Sequence, residues 1–363
     1  MENTTNERRY DIDWLRVIAI GLLLVYHIAI IFQPWAMFIG FIRSEELMEG
    51  LWKPMTMLNV WRIPLLFYVS GMGLYFAMRR RNIKALLLER ARRIGLPYIF
   101  GILAIVPLHF WVFQSYYKQP LSYMPHPAHL WFLGNLLIYI SILFPLFFYL
   151  LKKEESTFKV TLKRLMQSPL GPMLLSVFFV LEVLLVKPPI FALYAQTLHG
   201  YAHGFLAFFF GFLLVYIGPT FWSTMLKWKW LYLGLALAMY LLRLFVFEGD
   251  SPLYLMAIES NFWIFGIFGM AYRYLNKPSS ALSYLSKAVY PVYIIHMLVL
   301  YFGTSLILPL ALPIFLKFVL IVVFTLLTCL LIYEFILKRI RFLSIPFGMN
   351  WRPKASRSKQ EKN

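Results

Sequence analysis

The stretch Asp13-Trp-Leu-Arg-Val-Ile-Ala-Ile-Gly-Leu-Leu-Leu-Val-Tyr-His27 lies in the first long apolar segment of the chain. It is apolar enough to cross a membrane, yet it carries ionisable side chains at Arg16 and His27. An ionisable group at bilayer depth is costly, so both residues are candidates for function. Eleven residues of helix turn through about 1100° and rise about 16 Å. Arg16 and His27 are therefore predicted on one face of one helix, with Asp13 on the same side.

The composition is that of a polytopic membrane protein. Of 363 residues, 61% are hydrophobic and 14% are charged, whereas soluble domains average about 45–50% apolar and about 25% charged residues. The net charge of +19 does not indicate nucleic-acid binding, because most lysines and arginines lie between apolar segments. The single cysteine, Cys329, excludes a disulfide framework. The first apolar run has no small-residue cleavage site and is interpreted as a retained span.

Ten apolar segments are long enough to cross a bilayer, which takes about 20 residues. We therefore expect an all-α polytopic membrane protein with about ten transmembrane helices. The fifth segment is short and the tenth carries Lys317, so these two spans are the weakest predictions. The predicted spans are 13–33, 60–78, 94–114, 129–151, 170–187, 201–219, 229–247, 253–275, 288–308 and 313–337.

The basic residues alternate between the two sides of these spans. Of the 35 lysines and arginines, 27 lie in segments on one side, four on the other side and four within spans. Because cytoplasmic loops are enriched in positive charge, this bias places both termini in the cytoplasm. We expect residues 1–340 to form one transmembrane domain and residues 341–363 to form a basic cytoplasmic tail, partly disordered.

Arg62 is predicted at the depth of His27. The first helix runs outward and the second inward, so the helical rise places the two residues about 20 Å and about 24 Å above the cytoplasmic ends of their helices. A cation beside the imidazole would favour its neutral form, which can take a proton from a hydroxyl. Alternatively, Arg62 extends to the outer lipid headgroups.

Further polar groups lie within or near the predicted spans. His296, about a third of the way up an outward helix, is by itself typical of an interhelical hydrogen bond. Glu259 lies near the outer end of its helix, where it either lines an outward cavity or is an interfacial carboxylate. Glu182 is expected to pair with a neighbouring helix.

Four histidines are predicted towards the outer side. His199 and His203 have the i, i+4 spacing of two metal ligands on a helix, but no glutamate lies between them in the zincin arrangement. We therefore expect hydrogen bonding there, and no metal. His129 precedes an aromatic pair, which is also typical of interfacial anchoring. The fourth is His126.

The densest basic segment precedes the third span. Arg90 and Arg93 are three residues apart and share a helical face, so their guanidinium groups could bind phosphate oxygens. The alternative interpretation is the general enrichment of cytoplasmic loops in positive charge, with affinity for anionic lipids.

The order and placement of these motifs resemble the acyltransferase family 3 membrane proteins, bacterial enzymes that move acyl groups from a cytoplasmic donor to extracytoplasmic glycans. That family has an arginine and a histidine separated by ten residues in the first helix, and an Arg-x-x-Arg before the third. Arg16…His27 and Arg90-Ala-Arg-Arg93 match both. The chain is more similar to members that succinylate periplasmic glucans. The stretches that carry this likeness are Asp13-Trp-Leu-Arg16, Arg62…Phe67-Tyr-Val-Ser-Gly71, His129-Leu-Trp-Phe-Leu133, Glu259, Tyr293-Ile-Ile-His296 and Tyr333-Glu334.

The resemblance implies roles by position. His27 would be the catalytic base and Arg16 would support the acyl donor, with Arg90 and Arg93 on the donor side. Arg62 is, by its depth, the nearest candidate to stabilise the oxyanion. The supporting positions are Asp13, His129, Glu259 and His296. No metal and no permanently bound cofactor are expected.

We therefore predict a membrane O-acyltransferase in the bacterial inner membrane. It would move an acetyl or succinyl group from acyl-CoA to a hydroxyl of an extracytoplasmic glycan, with membrane lipids and no nucleic acid as further partners. The alternative is a transporter or flippase for a small anion or glycan precursor, in which buried charges mark a permeation path. Transporters often contain inverted repeats, and the sequence shows none.

Overall fold

The computed structural model describes residues 8–153, 156–249 and 251–349, and within these ranges all regular structure is helical. Short 3₁₀ turns precede several helices. The main helices are α1 (Tyr10–Ile31), α2 (Trp52–Arg80), α3 (Ile83–Tyr116), α4 (Trp131–Lys152), α5 (Thr157–Leu165), α6 (Leu170–Val186), α7 (Leu198–Tyr216), α8 (Pro219–Phe245), α9 (Leu253–Tyr274), α10 (Ser280–Ile307), α11 (Ile314–Leu331, continued by a π-helical segment Ile332–Leu337) and α12 (Arg341–Ser344).

The prediction of an all-α protein with about ten spans is confirmed. Nine helices in the described ranges are long and apolar enough to cross a membrane, and α5 with α6 makes a tenth candidate that is bent by 103°. The short fifth span is thus the irregular one, as its length indicated. The interpretation of the tenth span as one of the two weakest was wrong. Its mean hydropathy is 2.8, and Lys317 is buried, 3.7 Å from Glu46.

The two ends of the described chain lie on the same side of the bundle as the basic segments. The backbone N–H of Tyr10 donates to Asn276, in the segment between α9 and α10, at 3.1 Å. Gly348 lies against the backbone of Arg93. The part of the predicted tail from 350 to 363 lies outside the described residues.

Helix α1 is central to the arrangement. It is apolar, contains no proline and is unbroken over 22 residues, and it packs against α2, α10, α9 and α11. An unbroken helix keeps its rise of about 1.5 Å per residue. The axial separation of Arg16 and His27, about 16 Å, is therefore set by one rigid element.

Helices α2 and α7 approach backbone to backbone through two glycines. A Cβ atom added to Gly71 would overlap the carbonyl oxygen of Phe208, and one added to Gly211 would overlap that of Tyr68. Small residues at such crossings let membrane helices pack closely. This contact fixes α2, which carries Arg62, against the rest of the bundle.

We expect Gly211→Ala to destabilise the protein by about 1–3 kcal/mol, because the added methyl group overpacks the α2–α7 contact. Thermal unfolding in detergent measures the effect. The matched control is Gly234→Ala in α8, where an added Cβ meets nothing within 4 Å and alanine favours the helix. Equal melting temperatures for the two variants would contradict the close approach.

Helix α3 contains two π-helical turns, Ala91–Gly95 and Gly101–Ile105. Single π turns inside α-helices are frequent at functional sites, because the wider turn redirects side chains. The first of them begins directly after Arg90 and includes Arg93. The Arg-x-x-Arg motif is therefore presented by a wider turn than a regular α-helix would supply.

Candidate active site

The side chains of His27 on α1 and His296 on α10 are in direct contact. Nδ1 of His27 lies 3.0 Å from Nε2 of His296, and the two ring planes differ by only 5°. His296 is fully buried, whereas His27 keeps part of its surface accessible. The two residues are 269 positions apart in the chain, and the packing of α1 against α10 brings them together.

The hydrogen bonds of this pair determine where its protons lie. Nδ1 of His296 is 2.6 Å from the carbonyl oxygen of Tyr293, and a carbonyl only accepts, so Nδ1 carries the hydrogen. In neutral His296, Nε2 is then an acceptor and takes its hydrogen bond from Nδ1–H of His27. Neutral His27 is left with a lone pair on Nε2. The pair therefore presents a basic nitrogen on its accessible member.

Two more histidines lie beside this pair. Nε2 of His129 is 3.0 Å from the carbonyl oxygen of Ile294, and its ring centroid is 5.0 Å from that of His296. His109 on α3 is buried, with its ring centroid 5.8 Å from that of His129. Nδ1 of both residues has no hydrogen-bond partner among the described residues. Buried nitrogens of this kind are available to a bound hydroxyl group.

Arg62 is fully buried next to His27. Its guanidinium carbon lies 4.0 Å from the ring centroid of Tyr26, and Nη1 is 3.5 Å from the carbonyl oxygen of Leu22. Arg62 was predicted at the depth of His27, and it does contact α1 at Tyr26, the residue before His27. The alternative, extension to the headgroups, was wrong, because the side chain has no exposed surface. Nε and Nη2 have no partner in the described part of the chain, and buried donors of this kind are costly unless a ligand uses them.

A second polar site lies at the other end of α1. Nη1 of Arg16 is 3.5 Å from Oδ1 of Asp13, and Arg16 lies within electrostatic range of Arg90 and Arg93. Arg93 and Arg90 also contact the carboxylate of Glu89, at 3.4 Å and 3.9 Å. Arg16, Arg90 and Arg93 therefore lie near the carboxylates of Asp13 and Glu89. Arg8 also binds Asp13. The excess positive charge fits an anionic ligand such as a phosphate.

Glu259 lies at neither of these two sites, and both sequence-based interpretations of its position were wrong. Its side chain is buried, where neither an open cavity nor the lipid interface reaches it. The Arg243 guanidinium on α8 binds both of its oxygens at 2.9 Å, and Nε1 of Trp263 donates to it at 3.3 Å. A bidentate ion pair of this kind satisfies the carboxylate. The contact ties α9 to α8.

The four histidines that were predicted towards the outer side do not form one group. His129 lies beside the His27–His296 pair, and Nδ1 of His126 accepts from the backbone N–H of Ala128 at 3.0 Å. His199 and His203 both contact the Glu182 carboxylate from the neighbouring helix. The predicted pairing of Glu182 with another helix is thus confirmed.

Comparison with known families decides the class of the protein. A family model described as an acyltransferase domain matches residues 9–334.

The chain belongs to this acyltransferase family.

The resemblance predicted from the motifs is confirmed, and the protein is an acyltransferase of the membrane. Glucans biosynthesis protein C of Salmonella heidelberg is 22% identical over 338 residues, covering 84% of this chain and 85% of that protein. The protein of the same name from an Escherichia coli strain is 23% identical over 338 residues, covering 82% and 83%. No solved structure matches the chain.

Apart from Glu259, the predicted site residues of the acyltransferase fall into two groups along α1. His27, Arg62, His129 and His296 lie around the C-terminal part of α1, where Arg62 and His296 contact it directly. Asp13, Arg16, Arg90 and Arg93 lie at its other end. Their roles in acyl transfer stay predictions.

Sequence reasoning missed His109. It is an ionisable residue within the third predicted span, so the rule that drew attention to His27 and His296 applies equally to it. Tyr293 contributes through its backbone carbonyl to His296 and through its hydroxyl to the carbonyl oxygen of His129. No sequence pattern reports such backbone contacts.

Proposed function

We propose that this acyltransferase moves an acetyl or succinyl group from an acyl-CoA donor to a hydroxyl group of an extracytoplasmic glycan, in the inner membrane of a bacterium. The observation that carries the proposal is the pairing of two sites along α1, a cluster of arginines at one end and a histidine with a basic nitrogen towards the other. The name of the relatives, Glucans biosynthesis protein C, is consistent with a glucan acceptor.

The donor is bound at the arginine cluster. Coenzyme A carries phosphates that cannot cross a bilayer, and arginine is well suited to phosphate oxygens. Since positive charge is enriched in cytoplasmic segments, the cluster faces the cytoplasm, with both termini on that side. The pantetheine arm then extends along α1 over the distance of about 16 Å between Arg16 and His27. This brings the thioester to the imidazole.

The chemistry at His27 is general-base catalysis. Nε2 of His27 takes the proton of the acceptor hydroxyl while its oxygen attacks the thioester carbonyl carbon. The tetrahedral intermediate then expels the thiolate, and the proton on His27 passes to the sulfur. Throughout, Nδ1–H of His27 donates to His296, which holds the ring in position. The products are the ester and free coenzyme A.

Arg62 stabilises the negative charge that develops on the thioester oxygen. Its Nε and Nη2 have no other partner among the described residues, and it lies beside α1 one residue before His27. Donors already in place, in a site from which water is excluded, are an effective stabiliser of an oxyanion. Arg243 does not compete for this role, because Glu259 binds it.

Mass spectrometry tests the proposed function directly. The purified protein in detergent is incubated with acetyl-CoA or succinyl-CoA and a neutral glucan oligosaccharide, and cell-envelope glycans are compared with and without the protein. We expect a mass increase of one acyl group in both experiments, and its size identifies the group. No acylated product, together with glycan counterflow in reconstituted vesicles, would instead identify a flippase.

We expect replacement of both Arg90 and Arg93 by glutamine to raise the KM for acyl-CoA about tenfold, with little change in kcat. The lost charge-assisted hydrogen bonds are worth about 1.5–3 kcal/mol each when buried, and less at this partly exposed site. Initial rates at varied donor concentration measure the effect. The matched control is Arg92→Gln, because Arg92 is exposed. An equal effect with acyl-pantetheine, which lacks the nucleotide phosphates, would contradict phosphate binding.

A further inference from the structure

A second buried cluster lies outside the acyl-transfer site, where α6 meets α7. His199 and His203 are one helical turn apart, and their Nδ1 atoms lie 2.8 Å and 2.9 Å from the two carboxylate oxygens of Glu182. One possible ligand atom from each residue falls within 4.8 Å of the others. All three side chains are buried. The sequence indicated only two of the three, because Glu182 comes from a different helix.

The hydrogen bonds show that a proton or a metal ion lies between His199 and Glu182. Nε2 of His199 lies 2.9 Å from the carbonyl oxygen of Phe191, which only accepts, so Nε2 carries a hydrogen. Neutral His199 then has a lone pair on Nδ1, and that lone pair faces the Glu182 carboxylate. Two lone pairs at this distance repel each other unless a positive charge lies between them. Either a proton or a metal ion supplies that charge.

Hydrogen bonding alone leaves the cluster incomplete. His203 is 1% exposed and uses Nδ1 for Glu182, and its Nε2 has no partner among the described residues. A buried polar atom without a partner is costly. In the proton-filled arrangement Glu182 and His199 share a proton in a buried site, and Nε2 of the other ring, His203, stays without a partner among the described residues.

The same three side chains have the chemistry of a metal site. Two imidazoles and a carboxylate form a familiar ligand set for zinc. The contact from His199 Nε2–H to a backbone carbonyl is the usual way in which a metal-binding histidine is oriented. With one ligand atom from each residue, the three side chains supply three ligands of a four-coordinate zinc ion, and the fourth position is left for a water molecule.

We propose that Glu182, His199 and His203 bind a divalent transition-metal ion, zinc in the first instance, that fastens α6 to α7. The metal takes the place of the protons between the three side chains. The segment that joins the two helices contains Tyr194, whose hydroxyl donates to the carbonyl oxygen of Val60 on α2 at 3.2 Å. The site therefore stabilises the packing around α2.

Metal analysis of the purified, chelator-free protein tests this proposal. We expect a single zinc ion per chain by inductively coupled plasma mass spectrometry, and loss of that ion in Glu182→Gln and His203→Ala. The matched control, His126→Ala, replaces an exposed histidine and keeps the metal. The readout is independent of acyl transfer, so a failed activity assay does not affect it.

A second measurement uses only the unmodified chain, in case the variants do not fold. Chelator-treated protein is titrated with zinc chloride or cobalt chloride while the melting temperature and the visible cobalt spectrum are recorded. A rise in melting temperature with a tetrahedral cobalt spectrum supports the site, because an ion that binds only the folded state stabilises it. An unchanged melting temperature and no cobalt spectrum would show that a proton fills the cluster, and would overturn the proposal.

Discussion

The His27→Ala variant is expected to transfer acyl groups about 10³-fold more slowly than the unmodified protein. Alanine removes the basic Nε2 that would take the hydroxyl proton, while the remaining site still binds both substrates. The measurement is the initial rate of labelled acyl transfer at saturating donor. Because the loss falls on the chemical step, kcat is expected to fall with little change in the KM for the donor.

Two further variants distinguish loss of the base from loss of structure. His27→Asn retains an amide N–H at the place of Nδ1 that can donate to His296, so it is expected to keep the melting temperature and still lose activity. His126→Ala, at an exposed histidine, should be fully active. A normal rate for well-folded His27→Ala would rule out His27 as the base.

Replacement of His296 by alanine is expected to lower kcat roughly 10–10²-fold, less than removal of the base itself. Alanine removes the acceptor that holds the hydrogen of His27 on Nδ1. The His27 ring can then rotate or adopt the other tautomer, which places a hydrogen on the nitrogen that must accept the proton. His296 is thus a positioning residue, and its loss should leave the KM for the donor unchanged.

Rescue by a conservative variant tests this role. The side-chain carbonyl of glutamine can accept the hydrogen bond from Nδ1–H of His27, so His296→Gln is expected to recover much of the lost rate. If the role of His296 were only structural, the melting temperature and the activity of its variants would fall together. If His296→Gln is no more active than His296→Ala, the proposed tautomer control is wrong.

The spans could be predicted because a bilayer fixes the length and composition of a crossing helix. The exception is the fifth span. Pro169 and Pro172 flank the start of α6, and the preceding helix α5 is bent away from it by 103°. Proline is favoured at a helix start, so the break has a local signal, but the direction of α5 depends on its contacts.

The predicted start of the ninth span, residue 288, was too late, because α10 begins at Ser280. The residues between the two positions are only moderately apolar and mostly not buried. The helix begins there because the Ser279 side chain accepts a hydrogen bond from the backbone N–H of Leu282. From the true start, the helical rise places His296 about 24 Å along α10, close to the height of His27 along α1. The sequence-based boundary placed it about half as high and so concealed the contact.

Within the candidate site, the sequence predicted the arrangement of residues that lie on one and the same helix. The common face of Arg16 and His27 follows from helical periodicity alone. The contacts of His27 with His296, and of Glu259 with Arg243, depend on which faces of separate helices meet. Periodicity gives the face of each helix, but it does not give the rotation at which two apolar helices pack, so these partners were not predicted.

The unbroken course of α1 gives the enzyme a molecular ruler. Under the proposed function, the anchor for the donor phosphates and the base stand on the same rigid rod, so their spacing cannot adapt to the donor. Substrate choice is then divided between two quantities. The fixed spacing of the two sites along α1 sets the length of donor arm that can react. The space around His27 sets the size of the acyl group that can be transferred. Donors with a shortened arm should fail however well their acyl group fits.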